Sequence, residues 1–162
     1  IGRDGRVVWV HDEAEFVPGL PGEPDLMQGI LVDVTARKEA EESLRYHGEV
    51  LAAVAKQDYA AAGQILRPQL EARKDALVAA LDAQLGDRFS FRAPEGGYFL
   101  WGRLDGVDCD ALLPKANEAG VPFVKGSDFF VDGSGKDHLR LAFSAVKPEE
   151  MDEGISRLAQ LI

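Results

Sequence analysis

The sequence divides into two unlike pieces near residues 57–60, and this division argues against one fold that runs evenly through the chain. Residues 1–35 are rich in β-branched and aromatic residues around a proline- and glycine-rich loop at residues 18–24. From Ala36 to Gln57 the composition changes to Ala, Glu, Lys, Arg and Leu, which favours a helix. Residues 60–162 then mix helix and strand patterns. We therefore expect two structural units.

The first piece is predicted to be a β-hairpin followed by a long helix. After a turn at Arg3–Arg6, the strands are expected at Arg6–Val17 and Met27–Val34. Thr35 is the predicted N-cap of the helix, because its hydroxyl oxygen can accept a backbone N–H in the first turn.

The helix carries apolar or aromatic positions at heptad spacing, and this spacing leaves two interpretations open. The positions are Ala40, Leu44, His47, Leu51 and Val54. The helix either packs on its own domain or forms a weak dimerising coil. The coil would be weak because His47 lies in the seam and Gly48 costs about 1 kcal/mol relative to alanine in a helix.

Two segments of the first piece resemble the C-terminal end of a PAS sensor domain. They are residues 4–10 (DGRVVWV) and 29–42 (GILVDVTARKEAEE), of which the second is similar to the end of the last PAS strand and the start of its signalling helix. The resemblance covers roughly residues 1–57. A hairpin and one helix are too small to enclose haem or flavin, so the resemblance implies no sensing site.

The second piece predicts the order helix, two strands, helix, two strands, helix. Pro68 is expected near the start of the first helix and Gly86 at its end. Asp108 or Asp110 should cap the second helix, which Pro114 should kink or shorten. The four strands are expected at Arg88–Ala93, Tyr98–Leu104, Val121–Lys125 and His138–Ala145, and the last helix from Pro148. The fold class is therefore α+β, with a small, mostly antiparallel sheet covered by helices.

The charge of the chain weighs against two classes of partner. Lys and Arg total 18 against 28 Asp and Glu, a formal net charge of −10. Nucleic acids and anionic membrane surfaces reward clustered positive charge, so neither is an expected partner. No apolar run has the roughly 20 residues that span a bilayer, and a cytoplasmic location is expected.

Cysteine and histidine usage predicts neither a disulfide nor a metal site. Cys109 is the single cysteine, and the three histidines lie far apart in the sequence. The chain also opens on Ile1 rather than methionine. This beginning is what we expect of an excised, processed or engineered piece.

Four segments of the second piece resemble, in the right order, the C-terminal small domain of class I, fold-type I, pyridoxal-phosphate aminotransferases. They are residues 94–101 (PEGGYFLW), 120–126 (GVPFVKG), 139–144 (LRLAFS) and 153–159 (EGISRLA). The resemblance is to the 2-aminoadipate or aromatic aminotransferase branch. Lys125 departs from the pattern, since the family often has proline there, and this should loosen the turn before Gly126.

The resemblance implies that Arg140 holds the α-carboxylate of an amino-acid substrate and that Gly97 and Tyr98 contact the substrate. Leu139, Leu141 and Phe143 alternate with Arg140 along the strand, which predicts that Arg140 lies on the opposite face from them. Other interpretations remain open at this point. Arg140 could pair with a nearby carboxylate, the glycines could form a simple hairpin turn, and Tyr98 could be half-buried packing.

The resemblance also implies what the 162 residues lack. The family's Schiff-base lysine and cofactor cup belong to its large domain, and none of the lysines here lies in that context; they are residues 38, 56, 74, 115, 125, 136 and 147. We therefore expect no catalytic residue and no bound cofactor in this chain, pyridoxal phosphate being the parent family's cofactor. The isolated chain should be inactive, binding an amino-acid or 2-oxo-acid substrate only with a large domain supplied.

The predicted organisation is a chimera with three parts: PAS-like strands at 1–35, a linker or signalling helix at 36–59, and an aminotransferase small domain at 60–162. Two other functions remain open. The chain could be a PAS-derived signalling or dimerisation module, or a structural chimera without native function. A homodimer through the 36–57 helix or through the hairpin edge fits either of these.

Overall fold

The computed structural model describes residues 8–17 and 26–162, which form two compact units. The first unit reaches Ala62, and the second runs from Gly63 to Ile162. The predicted turn at Arg3–Arg6 and the predicted loop at residues 18–24 lie outside the described residues.

The first unit contains a two-stranded hairpin and a helix. Strands β1 (Val10–Val17) and β2 (Leu26–Asp33) pair antiparallel, with Val10 opposite Asp33 and Val17 opposite Leu26. Helix α1 spans Thr35–Ala55 and buries none of its residues. The predicted hairpin and long helix are confirmed; β1 ends at Val17 as predicted, and the other boundaries shift by one to four residues.

Thr35 is not the N-cap of α1, as the sequence predicts, but its first residue. Val34 takes the cap position without a side-chain hydrogen bond, and the Asp33 carboxylate accepts the N–H of Thr35 at 2.9 Å. The Thr35 hydroxyl oxygen instead accepts the N–H of Trp9 at 2.9 Å. The prediction is wrong because Thr35 Oγ1 joins the start of the helix to the segment before β1.

The second unit is a four-stranded antiparallel sheet with helices on one side, which confirms the predicted fold class. Its strands are β3 (Phe89–Phe91), β4 (Phe99–Leu104), β5 (Val124–Lys125) and β6 (His138–Ala142), in the spatial order β3-β4-β6-β5. Its helices are α2 (Tyr59–Gln84, which begins in the first unit), α3 (Cys109–Glu118) and α4 (Pro148–Ala159). Within the described residues, no helix is both long enough and apolar enough to cross a membrane.

Helix α2 begins well before Pro68, so the predicted start at Pro68 is wrong. The Asp58 carboxylate accepts the N–H of Ala61 at 3.0 Å and satisfies a free donor of the first turn. Pro68 lies inside the helix and removes one backbone donor. The helix continues past the proline because Leu77 and Leu81 farther along bury their side chains in the core.

Alternation along the strands divides the sheet into a buried and an open face. The buried face and the helices that cover it form one core, contributed by Phe89, Leu100, Leu104, Leu139, Leu141, Phe143, Leu77, Leu81, Leu112, Met151, Ile155 and Leu158. The predicted burial of Leu139, Leu141 and Phe143 is confirmed. The open face presents the alternate residues of β4 and β6.

Candidate functional site

The open face of the sheet gathers the polar and aromatic side chains that alternate with the core. Phe99, Trp101 and Arg103 project from β4, while His138 and Arg140 project from β6. The register sets Trp101 directly opposite Arg140 and Arg103 opposite His138. Two adjacent strands therefore bring two arginines, one histidine and two large rings together.

Arg140 lies between two aromatic rings. Its Cζ is 4.1 Å from the centre of the Phe99 ring and 5.0 Å from the centre of the Phe129 ring. A cation over an aromatic face is attracted by the ring's electron density, an interaction of about 0.5–2 kcal/mol. Both rings therefore lie within cation–π distance of the guanidinium on the open face.

The Nε atom of Arg140 is buried and has no hydrogen-bond partner. A buried donor left unpaired costs about 1–3 kcal/mol, so this arrangement does not stabilise the fold by itself. Within residues 8–17 and 26–162, Arg140 forms no ion pair. The alternative in which Arg140 pairs with a carboxylate of its own chain is thus absent from the described residues.

Two other side chains of the open face, Arg103 and His138, share a carboxylate. Asp137 accepts Arg103 Nε at 2.6 Å through Oδ2 and contacts His138 Nδ1 at 2.7 Å through Oδ1. The hydrogen bond from Arg103 holds the pKa of Asp137 below its usual value, and Asp137 in turn raises the pKa of Arg103. An ionised carboxylate only accepts, so Nδ1 of His138 carries the proton.

Phe129, the last residue of the short 3₁₀ helix at Gly126–Phe129, and Phe130, which follows it, both contact the open face. The ring of Phe129 packs edge-on against that of Trp101, with 5.3 Å between the ring centres. The ring centres of Phe130 and His138 are 5.6 Å apart. Trp101 and His138 stack on each other, also at 5.6 Å. Of these two neighbouring phenylalanines, Phe129 is the one that lies beside the Arg140 guanidinium.

Gly97 and Tyr98 lie at a separate groove of about 380 Å³ between α2 and the 94–98 turn. Gly97 has φ +90°, which favours glycine, and the carbonyl of Tyr98 accepts the N–H of Phe143 at 3.0 Å. The α2 side of this groove carries Arg67, Lys74, Glu71 and apolar side chains. Arg140 does not line it, so the structure does not bring the three predicted site residues into one cavity.

Two neighbours of Arg140, Phe99 and Phe129, are not among the predicted site residues, and only the first has a signal in the local sequence. Phe99 alternates with Leu100 in the predicted strand and could have been placed on the same face as Trp101. Phe129 reaches Arg140 only through the fold of the segment between β5 and β6. No local spacing relates those two residues.

The family comparison matches residues 47–158 to aminotransferase class I and II. The match begins inside α1, before the junction predicted at residues 57–60. Aromatic-amino-acid aminotransferase 1 of Thermococcus litoralis is 41% identical over 91 residues, 56% of this chain and 22% of that protein. The mouse mitochondrial kynurenine/alpha-aminoadipate aminotransferase is 39% identical over 93 residues, 56% and 22% of the two chains.

Solved structures agree with the sequence relatives. The alpha-aminoadipate aminotransferase LysN of Thermus thermophilus, solved with N-(5'-phosphopyridoxyl)-L-leucine, superimposes with a TM-score of 0.60 at 28% identity, over 68% of this chain and 29% of its own. The kynurenine aminotransferase of Pyrococcus horikoshii superimposes with a TM-score of 0.59 at 28% identity, over 82% of this chain and 36% of its own.

The sequence match covers most of the second unit, and the structural matches reproduce its helix-backed sheet. The PAS resemblance of residues 1–57 stays a prediction. The chain spans between a fifth and a quarter of the length of the curated relatives named above. The chain belongs to the class I and II aminotransferases.

Proposed function

We propose that residues 63–162 supply the part of a pyridoxal-phosphate-dependent aminotransferase that binds the substrate carboxylate, with Arg140 as its ligand. The observation that carries this proposal is the guanidinium of Arg140, which stands on the open face between two rings without an ion-pair partner among the described residues. A guanidinium on a rigid strand offers two parallel N–H donors, which match the two oxygens of a carboxylate.

Pyridoxal phosphate supplies the electron sink of transamination, and its site needs a lysine able to form a Schiff base. Two lysines of the second unit have carboxylate neighbours. Lys74 Nζ lies 3.1 Å from the Asp75 carboxylate, and Lys125 Nζ lies 3.4 Å from that of Asp128. The register sets Lys125 opposite Leu139, which faces the core. We therefore propose that this chain needs a large domain, supplied from elsewhere, to bind the cofactor and transaminate.

The test is a nuclear magnetic resonance titration of the whole chain with phenylpyruvate, a 2-oxo acid. Arg140→Lys keeps the charge but loses the planar pair of donors, so we expect binding to weaken about tenfold. Arg103→Lys is the matched control, because Arg103 lies on the same face but is engaged by Asp105 and Asp137. Its affinity should stay within about twofold of the wild type.

The wild-type affinity itself should be millimolar, because one face of a sheet surrounds little of a small ligand. Equal binding by the wild type and Arg140→Lys would reject Arg140 as the carboxylate ligand. Equal weakening by both arginine variants would assign the effect to general surface charge, which also contradicts the proposal.

We propose Gly97 and Tyr98 as contacts for the part of the substrate that extends beyond the carboxylate. They line the groove against α2, and Arg140 lies outside it. Tyr98→Ala should weaken the binding of phenylpyruvate more than that of pyruvate, and equal effects on the two acids would exclude this contact.

A second candidate function is self-association through α1. Leu44, Leu51 and Val54 are 74%, 68% and 44% exposed, and they lie at heptad spacing. Sedimentation of the whole chain tests it: Leu51→Lys should lower the association constant, while Ala52→Lys, one position outside the seam, should leave it unchanged. The same mass for the wild type and Leu51→Lys at every concentration would reject a dimer through α1.

A further inference from the structure

We propose that Phe99 and Phe129 are positioning residues for Arg140, which hold its guanidinium so that a carboxylate binds the terminal edge formed by Nη1 and Nη2. This inference rests on the proposed function, because it describes how the same arginine meets its ligand. The positioning role requires no contact between either ring and the carboxylate.

The first support is the position of the two rings. Phe99 comes from β4 and Phe129 from the 3₁₀ helix, and the centres of both rings lie within 5.0 Å of Arg140 Cζ. An arginine side chain has several rotatable bonds, and fixing them on binding weakens affinity. If the two rings hold the guanidinium plane before the ligand binds, less affinity is lost in fixing the side chain.

The second support is the unequal exposure of the guanidinium nitrogens. Nε is buried without a partner, while Nη1 and Nη2 are not among the buried unpartnered atoms. An approach along the side edge, which uses Nε and one Nη, is therefore blocked. An approach along the terminal edge meets both Nη donors, so the cover over Nε selects one of the two bidentate geometries.

The chain contains a matched control for Phe129 in the next residue. Phe130 is also a partly exposed ring on the same face, but its ring contacts are with Trp101 and His138 rather than with Arg140. Replacing either ring by leucine removes a similar apolar surface. The two variants therefore separate a loss of positioning from a general loss of packing.

The experiment measures two properties of the whole chain in the wild type, Phe99→Leu, Phe129→Leu, Phe130→Leu and Phe129→Tyr. The first is the exchange rate with water of the Arg140 Nε proton, which needs no ligand. The second is the affinity for phenylpyruvate. Thermal unfolding of each variant verifies that it is folded.

We expect Phe99→Leu and Phe129→Leu to speed the exchange of the Nε proton at least tenfold and to weaken binding three- to tenfold. Phe130→Leu should change both quantities less than twofold, and Phe129→Tyr should restore both. Equal effects of Phe129→Leu and Phe130→Leu, or unchanged exchange in Phe99→Leu and Phe129→Leu, would overturn the positioning role. A failure of the proposed function shows separately, as equal binding by the wild type and Arg140→Lys.

Discussion

Asp137 joins β4 to β6 by accepting Arg103 Nε at 2.6 Å while its other oxygen lies 2.7 Å from His138 Nδ1. Arg103 and His138 are opposite each other in the sheet register. The carboxylate therefore holds two side chains of the open face on which Arg140 also lies. This arrangement and the packing of the buried face allow direct tests.

Asp137→Asn should lower the stability of the second unit at neutral pH, because the pKa of Asp137 is held below its usual value by the hydrogen bond from Arg103. A lowered pKa stabilises the folded state above the unfolded pKa of aspartate, about 3.9, and this stabilisation is lost as the pH falls through the folded value. Urea unfolding at neutral pH and near pH 3 measures the difference. Solvent screening keeps it small.

The difference between wild type and Asp137→Asn should shrink at the lower pH. A double variant with Arg103→Gln should add little to the loss at neutral pH, since each substitution removes one charge of the same charge-assisted hydrogen bond. Fully additive losses, or a difference that does not change with pH, would contradict this account.

Gly102→Ala should destabilise the second unit by about 1–3 kcal/mol, since a Cβ at Gly102 would overlap the ring of Phe89 on the buried face. Gly154→Ala is the control from α4. Its Cβ would meet Val121 Cγ1 at 3.9 Å, an ordinary contact, and alanine should raise stability by up to about 1 kcal/mol. Chemical unfolding that gives both substitutions the same sign would contradict the packing described for Phe89.

Cys109 should not react with a thiol reagent at about pH 8 while the chain is folded. The side chain is completely buried, and burial, followed by the charges of Asp137 and Asp108, raises the pKa of the thiol to about 11. One equivalent should react after the addition of guanidinium chloride. Rapid modification of the folded chain would show that α3 opens readily or that the thiol is less enclosed.

Asp108→Ala should cost about 1 kcal/mol of stability, because the Asp108 carboxylate caps α3 by accepting the N–H groups of Asp110 at 2.9 Å and Ala111 at 3.2 Å. Asp108→Asn keeps an accepting oxygen and should recover most of the loss. Thermal unfolding of the two variants provides the comparison. An asparagine variant as unstable as the alanine variant would assign the effect to charge.

Much of the second unit follows from local sequence. The alternation of Leu139 and Leu141 with Arg140 predicts which face each residue occupies, and Pro148 marks the start of α4. Asp108, one of two predicted caps, is the residue that caps α3. These features depend on neighbours within a few positions, so they can be predicted from the sequence alone.

Other features depend on contacts that no local pattern contains. Strand β5 is shorter than predicted and ends where the 3₁₀ helix begins at Gly126, a position at which an added Cβ would collide with Gly135 and His138. The contact between Phe129 and Arg140 depends on the same close approach of the segment after Gly126 to the start of β6. The predicted start of α2 is wrong because Pro68 is a local signal, whereas the burial of the leucines beyond it depends on the whole core.

The unequal faces of the four-stranded sheet imply unequal freedom to evolve. Substitutions on the buried face of the sheet change the stability of the unit, so selection for a stable protein acts on them whatever ligand is bound. Substitutions around Arg140 alter shape and charge where little folding energy is stored. Relatives could therefore diverge in ligand preference at these few positions while keeping one scaffold.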